Sequence, residues 1–122
     1  LLFFLRYGDH RDLHSFPTRR SSDLIYENEF ILSFYDINPQ RKIHALVIPK
    51  GEYIDLDDFS SRASEKEISE LIKGISTVAK KLGISVDGGD GYRALANIGS
   101  NGGQEVPHLH FHLFGGEKIG KR

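Results

Sequence analysis

The chain has 122 residues, and its 16 basic and 17 acidic side chains leave a net charge of −1. This length suffices for one domain with a modest core, and the near-neutral charge excludes the strongly basic surface typical of nucleic-acid binding. There is no cysteine, which excludes disulfide bonds and thiolate zinc sites. No apolar run is long enough to span a bilayer. We therefore expect a soluble, cytoplasmic protein with neither nucleic-acid nor membrane partners.

Residues 1–24 differ in character from the rest of the chain. They show neither helical nor strand periodicity, and residues 16–23 read Phe-Pro-Thr-Arg-Arg-Ser-Ser-Asp. The codons TTC CCT ACA CGA CGC TCT TCC GAT, which resemble a common sequencing adapter, would encode this octapeptide. Because non-native segments carry no information about a fold, we assign residues 1–24 to a non-native leader and residues 25–122 to one domain. A native, disordered basic leader is the alternative.

The first part of the domain is predicted to form three strands. Aromatic and β-branched runs at residues 25–26 and 30–35 flank a short polar segment, which is typical of a β-hairpin. Asn38-Pro39 marks a turn. A β-rich run follows over residues 42–48 and ends at Pro49, which cannot donate to a sheet ladder. Residues 51–61 form an acidic connector with room for one short helical turn.

One long helix is predicted over residues 64–82. Ser64 and Glu67 have the spacing of a capping box, and Gly83 suits the position just beyond a helix end. Gly74 indicates a place where the helix packs closely against a neighbour. Apolar residues recur at intervals of three and four and form one stripe that faces the core, namely Ile68, Leu71, Ile72, Ile75, Val78, Ala79 and Leu82.

After a turn at residues 88–91 and a predicted strand over residues 92–97, histidine alternates with apolar residues. The run is His108-Leu109-His110-Phe111-His112-Leu113. Because side chains alternate across a strand, a strand places the three imidazoles on one face and the three apolar side chains on the other. The total of about five strands with short connections favours antiparallel pairing. With one long helix covering a face of the sheet, the expected fold class is α+β.

The histidine row leaves several kinds of chemistry open. Imidazole titrates near neutral pH and acts as nucleophile, acid, base or metal ligand. Residues 99–103 are rich in glycine, which lets backbone amides approach an anion closely and adopt positive φ, although an ordinary hairpin loop has the same composition. Three rings on one straight strand lie too far apart to reach one ion easily. We therefore predict no metal site and no cofactor.

Several blocks of the chain resemble the histidine-triad (HIT) superfamily, and within it the Hint branch. The alternating histidines match its pattern His-φ-His-φ-His-φ-φ, where φ is apolar. The other blocks lie at residues 34–40, 44–50, 91–93, 97–104 and 112–116, so that the resemblance covers residues 25–116. It implies a homodimer in which each subunit contributes a five-stranded antiparallel sheet with one long helix.

The resemblance also implies a reaction. Members of this branch bind purine mononucleotides and hydrolyse nucleoside phosphoramidates, such as AMP linked to an amine or an aminoacyl group, through a nucleotidyl-histidine intermediate. The implied nucleophile is His110. His112 contacts the phosphate and helps proton transfer, while His108 and His44 support the arrangement. A dinucleoside polyphosphate hydrolase and a nucleotide-binding or scaffold protein with little turnover are the alternatives.

Further residues receive binding roles from the same resemblance. The ribose is expected to bind Asp36, and the base to contact Phe34, Ile37 and Leu46, for which core packing is the alternative. The expected phosphate contacts are Asn97, Gly103, Gln104, Glu105 and Val106.

The sequence departs from the Hint pattern in three features. Glu105 replaces a hydroxyl residue, so we expect only its backbone amide to face the phosphate. The leader replaces the segment that closes the base pocket and that carries a cysteine pair for zinc in many bacterial members. The chain also lacks the C-terminal tryptophan through which some members reach the partner's site.

Overall fold

The computed structural model describes residues 23–121. The predicted leader lies outside the described residues, except for Asp23 and Leu24. The five strands are β1 (Leu24–Glu27), β2 (Ile31–Tyr35), β3 (Ile43–Pro49), β4 (Arg93–Leu95) and β5 (Phe111–Gly115). The helices are α1 (Leu56–Arg62), α2 (Glu65–Lys81) and α3 (Val86–Gly89). Within the described residues, no helix combines the length and the apolar character that a membrane crossing requires.

The strands form one antiparallel sheet in the order β1-β2-β3-β5-β4. Strand β5, which is last in the chain, lies between β3 and β4, so it brings the C-terminal histidines beside the first half of the domain. Leu46 pairs with His112 and His44 pairs with Phe114 across β3 and β5. The α+β class with five antiparallel strands and one long helix is therefore confirmed.

The long helix follows the predicted signals closely, except that Ile72 of the predicted core-facing stripe is 58% exposed. Ser64 caps α2 and forms the expected capping box with Glu67, since each residue's side chain accepts from the other's backbone N–H. Gly83 follows the helix with φ of +74°, the left-handed conformation that favours glycine. A Cβ atom at Gly74 would overlap the Cδ1 atom of the buried Ile31. Gly74 is therefore the close-packing contact that its position in the helix indicates.

The two faces of the sheet carry separate apolar clusters. One face packs against α2, which contributes Leu71, Ile75 and Val78 to the larger cluster. Leu109 and Leu113 belong to this cluster and Phe111 packs against it, as the alternating pattern predicts. The opposite face carries a smaller cluster and also the histidines of β3 and β5. The smaller cluster consists of Leu32, Phe34, Leu46 and Ile48.

Four local expectations need correction. The connector forms a helix of seven residues, α1, capped by Asp55, and the turn at residues 88–91 begins as the short helix α3. The strand expected over residues 92–97 is only three residues long. The histidine strand begins at Phe111, because the backbone before it bonds elsewhere: the N–H of Leu109 donates to Tyr53 O at 2.8 Å.

Candidate active site

Two of the four candidate histidines are in direct contact on the sheet face opposite α2. The Nε2 atom of His44 lies 2.9 Å from the Nδ1 atom of His112, although 68 positions separate the residues in the chain. Asp36 Oδ2 lies 3.6 Å from the same His44 atom. Their strands are neighbours in the sheet, and the register sets the two residues two pairs apart, so that both rings lie on the same face. A hydrogen-bonded histidine pair flanked by a carboxylate results.

The hydrogen bonds around this pair assign the tautomers of both rings. The backbone N–H of Gln40 donates to His44 Nδ1 at 3.2 Å, so this nitrogen is an acceptor and the neutral ring holds its proton on Nε2. That proton is donated to His112 Nδ1. A neutral His112 then holds its own proton on Nε2, where it can donate to an anion such as phosphate.

His110 is oriented by the backbone that precedes it. Its Nδ1 lies 2.8 Å from the carbonyl oxygen of His108, and a carbonyl can only accept, so Nδ1 carries the proton and Nε2 the lone pair. The rings of His110 and His112 lie 5.1 Å apart. The Nε2 atom of His110 is therefore an acceptor, whereas the Nε2–H group of the neighbouring His112 is a donor.

His108 has a different environment from the other two members of the triad. Its side chain is fully buried, and its Nε2 donates to the carbonyl oxygen of Pro49 at 2.9 Å. This contact ties the triad segment to the end of β3. The supporting role expected for His108 stays a prediction.

Burial keeps the histidine pair neutral. Desolvation, together with the nearby His110 and His44, lowers the pKa of His112 from 6.5 to about 4, against an opposing effect of Asp36. Desolvation also lowers the pKa of His44, and Asp36 opposes this shift as well. At neutral pH both rings are therefore uncharged, which is the state that the tautomer assignment requires.

Within the part of the chain that the structure describes, the same cluster groups three side chains that could hold a metal ion. One ligand atom each from Asp36, His44 and His112 lies within 4.8 Å of the others. This set differs from the three histidines of one strand that the sequence analysis considers. A metal would have to replace the proton that His44 donates to His112, so the neutral hydrogen-bonded pair competes directly with such an ion.

The glycine-rich loop is held in shape by its own polar side chains. Gly103 has φ of +81°, and a Cβ atom at Gly102 would overlap the carbonyl oxygen of Ile98, so both positions need glycine. The side chain of Asn97 donates to the Gly102 carbonyl at 2.8 Å. The side chain of Gln104 accepts from the Gly99 N–H at 3.0 Å. These bonds close the loop beside the triad.

The last residue of β3 and the segment that follows it, residues 50–54, hold both the loop and the triad through backbone carbonyl groups. Besides the Pro49 contact with His108, the Tyr53 carbonyl accepts from the Leu109 N–H at 2.8 Å. The Ile54 carbonyl accepts from Gln104 Nε2 at 2.6 Å. Sequence patterns give no signal for this role, because any residue type can supply a carbonyl.

Arg62 in turn anchors this segment to α1. Its guanidinium forms a bidentate pair with Asp58 at 2.6 and 2.9 Å, donates to the Glu52 carbonyl at 2.7 Å and lies over the Tyr53 ring. Asp58 also accepts from the Ile54 N–H at 2.8 Å. The hydrogen bonds from Arg62 and Ile54 lower the pKa of Asp58 to about 2.

The remaining predicted residues are distributed around this centre. Phe34 and Leu46 are buried in the smaller apolar cluster, against which Val106 packs, whereas Ile37 is 51% exposed. Asp36 accepts from the Asn38 N–H through Oδ1 at 2.8 Å, which orients its carboxylate. Glu105 is exposed on the loop.

A cavity of about 360 Å³ adjoins His112 and contains residues that the sequence analysis did not single out. Two arginines, Arg41 and Arg93, line it together with Phe114, whose ring stacks on His112. Arg93 lies in the Gly-Tyr-Arg block and Phe114 ends the triad pattern, so both had a signal in the sequence. Arg41 had none.

Comparison with known proteins is consistent with this architecture. The HIT domain family model matches residues 18–119. An uncharacterized HIT-like protein of Azospirillum brasilense is 50% identical over 96 residues, which are 79% of this chain and 76% of that protein. The purine nucleoside phosphoramidase of Escherichia coli K12 is 36% identical over 99 residues, which are 81% of this chain and 80% of that enzyme.

Solved structures show the same similarity in three dimensions. A HIT family hydrolase from Legionella pneumophila superposes with a TM-score of 0.71 at 34% identity, covering 80% of this chain and 83% of that one. A histidine triad protein from Clostridium difficile gives a TM-score of 0.69 at 37% identity, covering 81% and 83%. Sequence and fold agree, and this chain belongs to the HIT domain family.

Proposed function

We propose that the protein hydrolyses purine nucleoside phosphoramidates, with an AMP–amine or aminoacyl-AMP as substrate. The observation that carries the proposal is the hydrogen bond from His110 Nδ1 to the His108 carbonyl. A ring held in this way presents the Nε2 lone pair, as a neutral imidazole nucleophile requires. The phosphoramidase of Escherichia coli, at 36% identity, supports the choice of substrate class.

The proposed reaction proceeds in two displacements at phosphorus. His110 Nε2 forms a bond to phosphorus while the P–N bond breaks, and the amine leaves with a proton from solvent. Water then attacks phosphorus, the bond to His110 breaks, and AMP and the free imidazole are released. One water is consumed overall, and splitting the displacement lowers each barrier.

Charge that develops on the phosphoryl oxygens needs preorganised donors. His112 Nε2–H is one such donor in our proposal, and the backbone amides of the loop around Gly103 and Val106 are others. The Asp36 carboxylate would accept from the ribose hydroxyls, and Ile37 would pack against the base. Glu105 would contribute only its backbone amide, since a carboxylate repels phosphate.

The assembly that we propose is a homodimer. Strand β4 lies at the edge of the sheet with β5 as its neighbour, and an unprotected edge is a ready template for another strand. Ala94 in the middle of β4 is exposed. Two exposed apolar side chains, Ile72 at 58% and Val86 at 78%, add apolar surface that a second copy could cover.

Mass spectrometry after brief incubation with an AMP–amine tests the covalent step. We expect an adenylyl adduct on His110 in the unaltered protein, and neither adduct nor turnover in His110→Ala, because the nucleophile is missing. Lys66→Met, on the exposed side of α2, is the matched control and should react normally.

Two results would contradict this mechanism. Full turnover by His110→Ala would exclude His110 as the nucleophile. AMP binding without any cleavage by the unaltered protein would favour the alternative of a nucleotide-binding or scaffold protein.

A further inference from the structure

The cavity beside His112 lies on one side of the proposed catalytic centre, and its lining is basic. Its lining within the described residues contains two arginines and no acidic side chain. The lining residues are Gln40, Arg41, Arg93, Leu95, Asn97, His112 and Phe114. Neither guanidinium forms a salt bridge with a described carboxylate. Positive charge of this kind, beside a reacting centre, is available for an anionic ligand.

Both arginines are held near His112 by the sheet and by the turn before β3. Arg93 pairs with Phe114, and Leu95 pairs with His112, so the side chain of Arg93 projects from the same sheet face as His112. A hydrogen bond to the Gly120 carbonyl at 2.9 Å fixes its Nη2 atom. Arg41 follows Gln40, whose backbone N–H is bound to His44. Arg41 precedes β3 and Arg93 lies in β4, so the two arginines come from the strands on either side of β5.

The position of the cavity relative to the proposed substrate indicates which part of it could enter. The cavity shares His112 and Asn97 with the proposed phosphate site. None of the four residues proposed for the ribose and base lines it. When the nucleoside lies on the Asp36 side of the phosphate, the leaving group on the other side of the phosphorus atom would extend into the cavity.

We propose that Arg41 and Arg93 form a subsite for an anionic leaving group, with phosphoramidates of amines that carry a carboxylate as the preferred substrates. The inference rests on the proposed function and names its substrate class more closely. A guanidinium binds a carboxylate through two parallel N–H donors, which favours it over a neutral amide of the same size.

A matched pair of substrates tests the subsite. AMP linked through nitrogen to β-alanine carries the carboxylate, and AMP linked to β-alaninamide is its neutral isostere. We expect kcat/KM of the unaltered protein to be roughly tenfold higher for the carboxylate, about the effect of one charge-assisted hydrogen bond in a partly solvated site. In Arg41→Met the ratio should fall toward one.

Two further variants separate the subsite from general damage. Arg93→Gln keeps a donor for the Gly120 carbonyl and should also lower the ratio. Lys66→Met removes a cation far from the cavity and should preserve it. A ratio near one in the unaltered protein would overturn the inference. So would equal losses for both substrates in the arginine variants, because the guanidinium groups would then act on the reacting phosphate.

Failure of the proposed function gives a different result. If neither adduct is cleaved, the dissociation constants of the two adducts, measured by calorimetry on the unaltered protein and on Arg41→Met, test the subsite without turnover. Tighter binding of the carboxylate that Arg41→Met abolishes would support the subsite, and equal binding of the two adducts would overturn it.

Discussion

At the scale of single residues, the four candidate histidines differ in chemical state because their hydrogen-bond partners differ. His108 donates to a carbonyl and is fully buried, whereas His110 is oriented by the backbone so that Nε2 keeps the lone pair. The Nε2–H group of His44 donates a hydrogen bond to the Nδ1 atom of His112. Partner geometry, more than residue type, decides which ring is suited to attack, to bind an anion or to support the others.

The lowered pKa of His112 predicts a loss of stability in mild acid. The unfolded chain takes up a proton near pH 6.5, whereas native His112 does so only at about pH 4. Stability is therefore fully present above about pH 6.5, and the free energy of unfolding falls as the pH drops toward 4. His44 acts in the same direction.

Urea unfolding at neutral pH and at about pH 5 measures this effect. His112→Gln cannot take up the proton and should lose less stability over the interval than the unaltered protein. Asp58, with its pKa of about 2, stays ionised throughout and does not contribute. Equal losses in variant and parent would show that the ring is not buried in its neutral form.

At the scale of elements, the segment that follows β3 connects the helices to the site. Its carbonyls hold Leu109 and Gln104, and Arg62 in α1 holds the segment. Helix α1 therefore supports the proposed catalytic centre through two successive sets of hydrogen bonds, although it contributes no side chain to that centre. Because such support fixes geometry, its loss should affect the chemical step more than binding.

Arg62→Met tests this support, since it keeps the apolar stem and removes the guanidinium. We expect kcat to fall roughly tenfold with a smaller change in KM, a fraction of the ~100-fold loss that a 1 Å misplacement of reacting groups can cause. Hydrogen exchange at the Leu109 amide should become faster. Lys66→Met is the control, and unchanged kinetics together with unchanged exchange at Leu109 would refute the role of Arg62.

At the scale of the whole molecule, the sheet separates two functions. One face packs on α2 through the larger cluster, which supplies most of the buried apolar surface and hence most of the stability. The other face carries the histidines and the smaller cluster. Strand β4 forms the edge of the sheet at which we propose that two copies pair, and two of its residues, Arg93 and Leu95, line the cavity.

Ala94→Glu tests the proposed dimer. If β4 pairs with its copy around a two-fold axis, Ala94 lies near its counterpart, and a glutamate there brings like charges together. Sedimentation equilibrium should give twice the mass of one chain for the unaltered protein and a shift toward the monomer for the variant. Ser61→Glu, on the exposed side of α1, should remain dimeric. A monomeric unaltered protein would contradict the proposal.

Elements with local signals can be predicted from the sequence. Residue type and spacing predict the capping box of Ser64 and Glu67 and the close packing at Gly74. The alternation predicts that Leu109, Phe111 and Leu113 face the core. The structure confirms all three predictions. The roles of the site residues came from the resemblance to the HIT superfamily and stay proposals.

Which distant residues meet depends on the tertiary fold. Strand order places His44 beside His112. The backbone N–H of Leu109 bonds to Tyr53 in the segment after β3, so β5 starts later than the alternation indicates. Arg41 and Arg93 come together at one cavity for the same reason. Such contacts depend on register and on backbone groups that every residue possesses, and local sequence patterns carry no record of either.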